Sequence, residues 1–184
     1  MHICFFCKTK DRSDLERVGF YADDIRILRD LGHQVTLATS YREIPNDADL
    51  IYAWWWTWAF IPLMKKYLYG IPVIICGVVD YETKSDDQRV CYVNRPWWDR
   101  LLQRYAMATA AANIFLSRFE FDQITSKFKV RNPKLSPCTV DTQAYRPDPA
   151  ARRGRFLFNV AWSGGGKLNG QKPEGIGRAP SASA

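Results

Sequence analysis

Apolar and polar positions fall into alternating blocks along the chain. Residues 2–7, His-Ile-Cys-Phe-Phe-Cys, are a nearly continuous apolar run without period-two alternation, the pattern of a strand covered on both faces. A polar stretch at 8–12 follows. Ser13-Asp14-Leu15-Glu16 then has the spacing of a capping box, in which Ser13 and Glu16 satisfy each other's end donors. Val18, Tyr21, Ala22, Ile25, Leu28 and Leu31 recur mostly at three-residue steps, which predicts an amphipathic helix closed by Gly32. Residues 35–38 form the next apolar run. Strand, helix and strand in so short a span is the parallel, right-handed crossover unit.

The pattern repeats. It predicts strands at 49–53, 73–79, 113–116 and 134–138. Helices are expected at 57–69, from Pro96 to about 112, and from a second capping box, Ser117 to Glu120, to about 128. Residues 80–94 read as a long polar loop. The fold class is therefore α/β with a doubly wound, mostly parallel, Rossmann-like sheet. Ligands of such sheets gather at the carboxyl ends of the strands. That rule places the loops at 8–13, 54–58 and 80–94 around one crevice.

The end of the chain has a different composition. An apolar run at 156–162 leads into Gly164-Gly165-Gly166, and residues 167–184 hold only Leu168 and Ile176 as larger aliphatics. We expect a Rossmann-like domain at 1–148, a linker and first strand of an incomplete second domain at 149–166, and a low-complexity disordered tail at 167–184. Of the net charge of +7, residues 1–148 carry +2 and residues 149–184 carry +5. The basic excess thus sits in the linker and tail rather than on a folded face, which argues against a nucleic-acid partner. Five cysteines without regular spacing, and a start lacking a basic n-region and cleavage site, point to a reducing cytoplasm. No apolar run reaches the ~18 residues of a membrane helix.

Several residues carry candidate chemistry. Cys4 and Cys7 have Cys-x-x-Cys spacing, but positions i and i+3 of a strand point to opposite faces, so a structural role is favoured over a redox or metal pair. Residues 54–58, Trp-Trp-Trp-Thr-Trp, hold four indoles in five positions. They cannot all face inward on either period, so Trp55 and Trp56 are candidates for stacking on a sugar ring or dipping into lipid headgroups. Asp80 follows a buried strand, where a carboxylate would stand at the crevice floor. The loop after the first strand lacks the Gly-x-Gly-x-x-Gly of dinucleotide enzymes, and the Gly164–Lys167 run lacks the leading glycine and trailing hydroxyl of a phosphate-binding loop. No metal site is expected.

Three passages resemble the family 4 retaining glycosyltransferases of the GT-B fold. Leu31-Gly32-His33-Gln34-Val35 is similar to that family's leu-gly-his-x-val passage, and Ile114-Phe115-Leu116-Ser117 to its strand ending in serine. Val140-Asp141 with Tyr145-Arg146-Pro147 is similar to the seam between its two domains. The resemblance implies retaining transfer of a glycosyl group from a nucleotide-sugar co-substrate, without a resident cofactor, to a glycan or lipid-linked acceptor held by the first domain. It implies that Asp80 lies beside the acceptor, with Tyr81 and Glu82 in the same crevice. Lys8, Thr9, Lys10, Arg12 and Ser13 would occupy the loop near the donor phosphates, and Lys167 or Lys172 would hold the diphosphate. The family's paired glutamates belong to the second domain, so the chain is expected to be an inactive, acceptor-side fragment. The alternative is a stand-alone binding module of the same fold, peripheral at a membrane surface.

Overall fold

The computed structural model describes residues 1–82 and 91–138. The elements follow in order as β1 (His2–Cys7), α1 (Asp14–Arg17), α2 (Gly19–Asp30), β2 (Gln34–Ala38), β3 (Leu50–Trp54), α3 (Phe60–Tyr69), β4 (Val73–Gly77), α4 (Trp97–Thr109), β5 (Ala112–Phe115), α5 (Arg118–Lys127) and β6 (Pro133–Leu135). Short 3-10 turns lie at Tyr41–Glu43, Trp56–Trp58 and Tyr92–Asn94. The six strands form one parallel sheet in the order β2-β1-β3-β4-β5-β6, flanked by helices as expected of an α/β, Rossmann-like fold.

Successive strand residues serve opposite cores, and for that reason the strands read as unbroken apolar runs. Cys4 and Phe6 of β1 join Ala53, Ile75 and Phe115 in a core closed by Leu63 of α3, Ala106 and Met107 of α4 and Ile124 of α5. Phe5 and Cys7 join Trp54 and Cys76 in a second core under Leu15, Tyr21 and Ile25 of α1 and α2. Cys4 and Cys7 therefore lie in different cores. Burial pushes their thiols up to about 12 and about 11 respectively, so they are small hydrophobes rather than a redox pair. Each fully buried large side chain, such as Phe5, Phe6 or Ile75, contributes about 1.5–3 kcal/mol.

Two local expectations need correction. The first helix is broken: α1 has only four residues, and Val18 is extended (φ −81°, ψ 116°) before α2 begins at Gly19. Ser13 has helical angles and makes no side-chain cap. Asp11 does that work instead, its Oδ1 accepting the Ser13 N–H at 2.9 Å and its carbonyl accepting from Asp14. An aspartate two residues ahead of the turn competes for the same orphan amides as a serine cap and here it wins. The second capping box is half made. Ser117 Oγ accepts the Glu120 N–H at 3.2 Å, but the Glu120 carboxylate turns elsewhere.

The seam at 140–147, the expected strand at 156–162, the tail, Lys167 and Lys172 lie outside the described residues.

Candidate functional site

The strand order puts the topological switch between β1 and β3, since the chain leaves β1 for β2 on one side and returns to β3 on the other. Cys7 and Trp54 are paired in register at that point, so Lys8 and Trp55 leave adjacent strand ends together. The carboxyl edge continues through Gly77 and Phe115, paired at the ends of β4 and β5.

Trp55 is the strained residue of this edge. Its φ is 75°, an uncommon conformation that costs a bulky residue about 1–3 kcal/mol unless its surroundings enforce it. Its N–H is bonded to the Cys76 carbonyl at 2.9 Å, and its indole N–H donates to Tyr21 Oη at 2.5 Å. Gly77, at φ 149°, supplies the space: a Cβ there would meet the Trp55 ring and backbone at 3.3 Å. The Trp55 ring meets Trp54 and Phe20 edge to face, at 5.6 and 6.3 Å.

The other tryptophans of this run do not share that setting. Trp54 and Trp56 are both only 2% exposed. Trp54 Nε1 donates to Asp24 Oδ2 at 3.1 Å. Trp56 Nε1 donates to Asn113 Oδ1 at 2.9 Å, and its ring stacks on Phe115 at 5.1 Å. Trp56 is thus a core residue and not a crevice residue. Neither it nor Trp54 can meet a sugar or a lipid.

The loop at 8–13 is tied to β2. Arg12 donates to the Leu37 carbonyl at 2.9 Å and pairs with Glu43 at 3.3 Å. Thr9 Oγ1 donates to the Asp11 carbonyl within the loop. Lys8, Lys10 and Ser13 are exposed, and the two lysines place positive charge beside the switch point.

Beyond β4 the chain carries Asp80 at the edge and then turns away. The Asp80 carbonyl accepts the Tyr92 N–H at 2.6 Å, and the Tyr81 carbonyl accepts from Val93. The far end of the loop thus returns to its start. Tyr81 stacks on Tyr92 at 5.7 Å and packs near Phe128, just past the end of α5. Tyr81 thus packs against the layer formed by α4 and α5, partly buried on its core. Glu82 is exposed. Burial raises the Asp80 carboxyl above its ordinary range, against the opposing charge of Arg95.

The residue missed by sequence reasoning is Glu120. It is 5% exposed, and its carboxylate accepts the N–H groups of Val79 and Leu116, just past β4 and β5. Burial pushes it up to about 7. The two amides oppose that rise and the nearby Asp80 charge adds to it. A serine three residues ahead made Glu120 look like the second arm of a capping box. The only contrary signal was its place in the first turn of a helix that follows a strand, which puts it at the ligand edge.

No family model matches the chain, and no curated protein matches it either. The edge must therefore be read from its own geometry. It combines a half-buried indole, exposed lysines on the first loop, and two neighbouring carboxyl groups of which one titrates near neutrality. Such a set can stack on a ring, accept hydrogen bonds from hydroxyls and exchange a proton.

Proposed function

We propose that residues 1–148 are the acceptor-side domain of a retaining, nucleotide-sugar-dependent glycosyltransferase. The observation that carries the reading is the edge at the switch point, where Trp55 is held at a positive φ beside Gly77 and the carboxyls of Asp80 and Glu120 sit a few residues along the same edge. The apolar face of a sugar ring stacks on an indole, and its hydroxyls donate to carboxylates. The passages that resemble family 4 support the same reading, and one of them ends at this edge, in Ser117. In this assignment Asp80 contacts the acceptor, Glu120 positions the Val79 and Leu116 amides around it, and Lys8 and Lys10 face the donor's phosphates. The donor sugar itself belongs to a second lobe.

Titrating the 15N-labelled chain with mono- and disaccharide acceptors, nucleotide-sugars and nicotinamide dinucleotides tests this. A saccharide should move the amides of Lys8, Val79 and Leu116 and the indole of Trp55. Asp80→Asn should weaken that binding about tenfold, the cost of one hydrogen bond to a charged group. Perturbation of the same signals by a nicotinamide dinucleotide, with none by any saccharide, overturns the proposal in favour of an oxidoreductase.

A further inference from the structure

Helix α4 is built inside out over its first two turns. Asp99 and Gln103 face the protein at 6% and 3% exposure, while Trp97, Trp98 and Leu101 stand in solvent at 71%, 53% and 57%. The buried polar pair is satisfied: Asp99 Oδ2 accepts from Arg95 at 3.0 Å and Asp99 Oδ1 accepts from Gln103 at 3.1 Å. The helix could therefore present a polar outer face at no cost to its packing, yet two indoles and a leucine occupy it. The apolar surface continues onto α3. Tyr105 donates to Tyr67 Oη at 2.7 Å with the rings stacked, and Met64 and Leu68 of α3 are also exposed. A contiguous patch of this kind on a soluble domain marks an interaction surface.

The charge around the patch identifies its occupant. A cleft of about 410 Å3 lies between α4 and the end of α5, lined by Tyr81, Tyr92, Trp97, Arg100, Arg104 and Phe128. The Arg104 guanidinium sits 5.7 Å from the Phe128 ring, and Lys127 Nζ 4.6 Å from that of Tyr81. Among the described residues no carboxylate pairs with Arg100 or Arg104. Exposed indoles and tyrosines at headgroup depth, with guanidiniums beside them, are the composition of an interfacial helix on an anionic bilayer. No helix among the described residues is long and apolar enough to cross a membrane.

We propose that the outer face of α4 docks the protein on an anionic phospholipid surface, with a lipid phosphate seated in the cleft between Arg100 and Arg104. Trp97, Trp98 and Leu101 enter the headgroup layer and Tyr105 and Tyr67 border it. This docking does not depend on the transferase reading, because it uses none of the residues of the crevice.

Co-sedimentation of the full chain with phosphatidylcholine vesicles, and with vesicles of phosphatidylcholine and phosphatidylglycerol at three to one, tests the proposal. The chain should sediment with the anionic vesicles and be released at high salt. Arg100→Gln and Arg104→Gln should each weaken partition about fivefold, and Trp97→Ser with Leu101→Ser about tenfold or more. All these positions are at least partly exposed, and an unchanged Tm certifies that the variants fold. Three results overturn the proposal. One is no preference of the wild-type chain for anionic vesicles. Another is a Tm raised by free glycerol 1-phosphate without vesicle binding, which makes the cleft a soluble-anion site. The third is self-association abolished by Trp97→Ser without vesicle binding, which makes the face a contact between copies.

Discussion

Trp54 to Trp56 and Trp97–Trp98 are two runs of adjacent tryptophans in the described fold, and their fates are opposite, with Trp58, 41% exposed, standing apart from the first. In the first, each buried indole has an acceptor brought by a different element: Asp24 of α2 for Trp54 and Asn113 of β5 for Trp56. Tyr21 of α2 accepts from Trp55, and Gly77 of β4 clears the space for it. In the second, no indole is buried, and the polar residues of the same helix take the inner positions. The difference teaches that a tryptophan enters a core only where the fold supplies both volume and a partner for its N–H. Hydrophobicity alone does not decide it.

The sharpest way to break this comparison is truncation. Trp56→Ala should destabilise the fold by about 4 kcal/mol, through lost burial, a cavity and an Asn113 carbonyl left without its donor. Trp97→Ala should leave stability within about 0.5 kcal/mol. Urea denaturation of both variants measures the contrast, and similar losses would show that the clusters are not different in kind.

Next in size is the glycine. Gly77→Ala adds a Cβ at 3.3 Å from Trp55 in a backbone region that suits glycine, and should cost about 2–3 kcal/mol. Combining it with Trp55→Ala in a double-mutant cycle should return part of that loss, because the steric share depends on the indole ring. Strict additivity would place the whole cost in the backbone angle.

A third prediction uses pH. The Glu120 pKa is raised to about 7 in the folded chain from an ordinary 4.5. Between those values the folded state binds more protons than the unfolded state, so this group's stabilisation is complete below about pH 4.5 and is lost as pH rises through 7. The loss should be on the order of 2 kcal/mol after allowance for partial solvent screening. Glu120→Gln should flatten the dependence of stability on pH between 5 and 8, measured by denaturant titration at several pH values. The smallest effect is expected at Trp98→Ala, whose fold stability should match that of the Trp97 variant.

Much of the fold was legible in the sequence because parallel strands covered on both faces leave an unmistakable mark. The runs at His2–Cys7 and Val73–Gly77 are apolar at nearly every position, and the helices between them keep a three- to four-residue period. What misled was local hydrogen bonding. Ser13-x-x-Glu16 and Ser117-x-x-Glu120 have identical spacing, yet neither forms the reciprocal box. Asp11 pre-empts the first, and the strand-end amides of Val79 and Leu116 draw Glu120 away from the second. Neither competitor is visible in a four-residue window. The carboxyl edge of the sheet was legible in its location, and the side chains that face it were less so. Trp55, Asp80 and the loop at 8–13 fall on the carboxyl edge, whereas Trp56 turns into the core, because which of five consecutive residues faces a crevice depends on a backbone angle that no period encodes. The exposed face of α4 carried a signal that went unused: at helical spacing, Asp99 and Gln103 share one side while Trp97 and Leu101 share another.

The strand order also fixes when the sheet can close during synthesis. β1 is made first, but one neighbour, β2, is complete only at residue 38 and the other, β3, only at residue 54. At about 5–20 residues per second, the ribosome leaves the run His2–Cys7 without its second partner for roughly 2–10 s. During that interval Phe5 and Phe6, both buried in the finished fold, have only one side of their strand paired, so holdase chaperones should engage the nascent chain at β1 and release it once Trp54 has emerged.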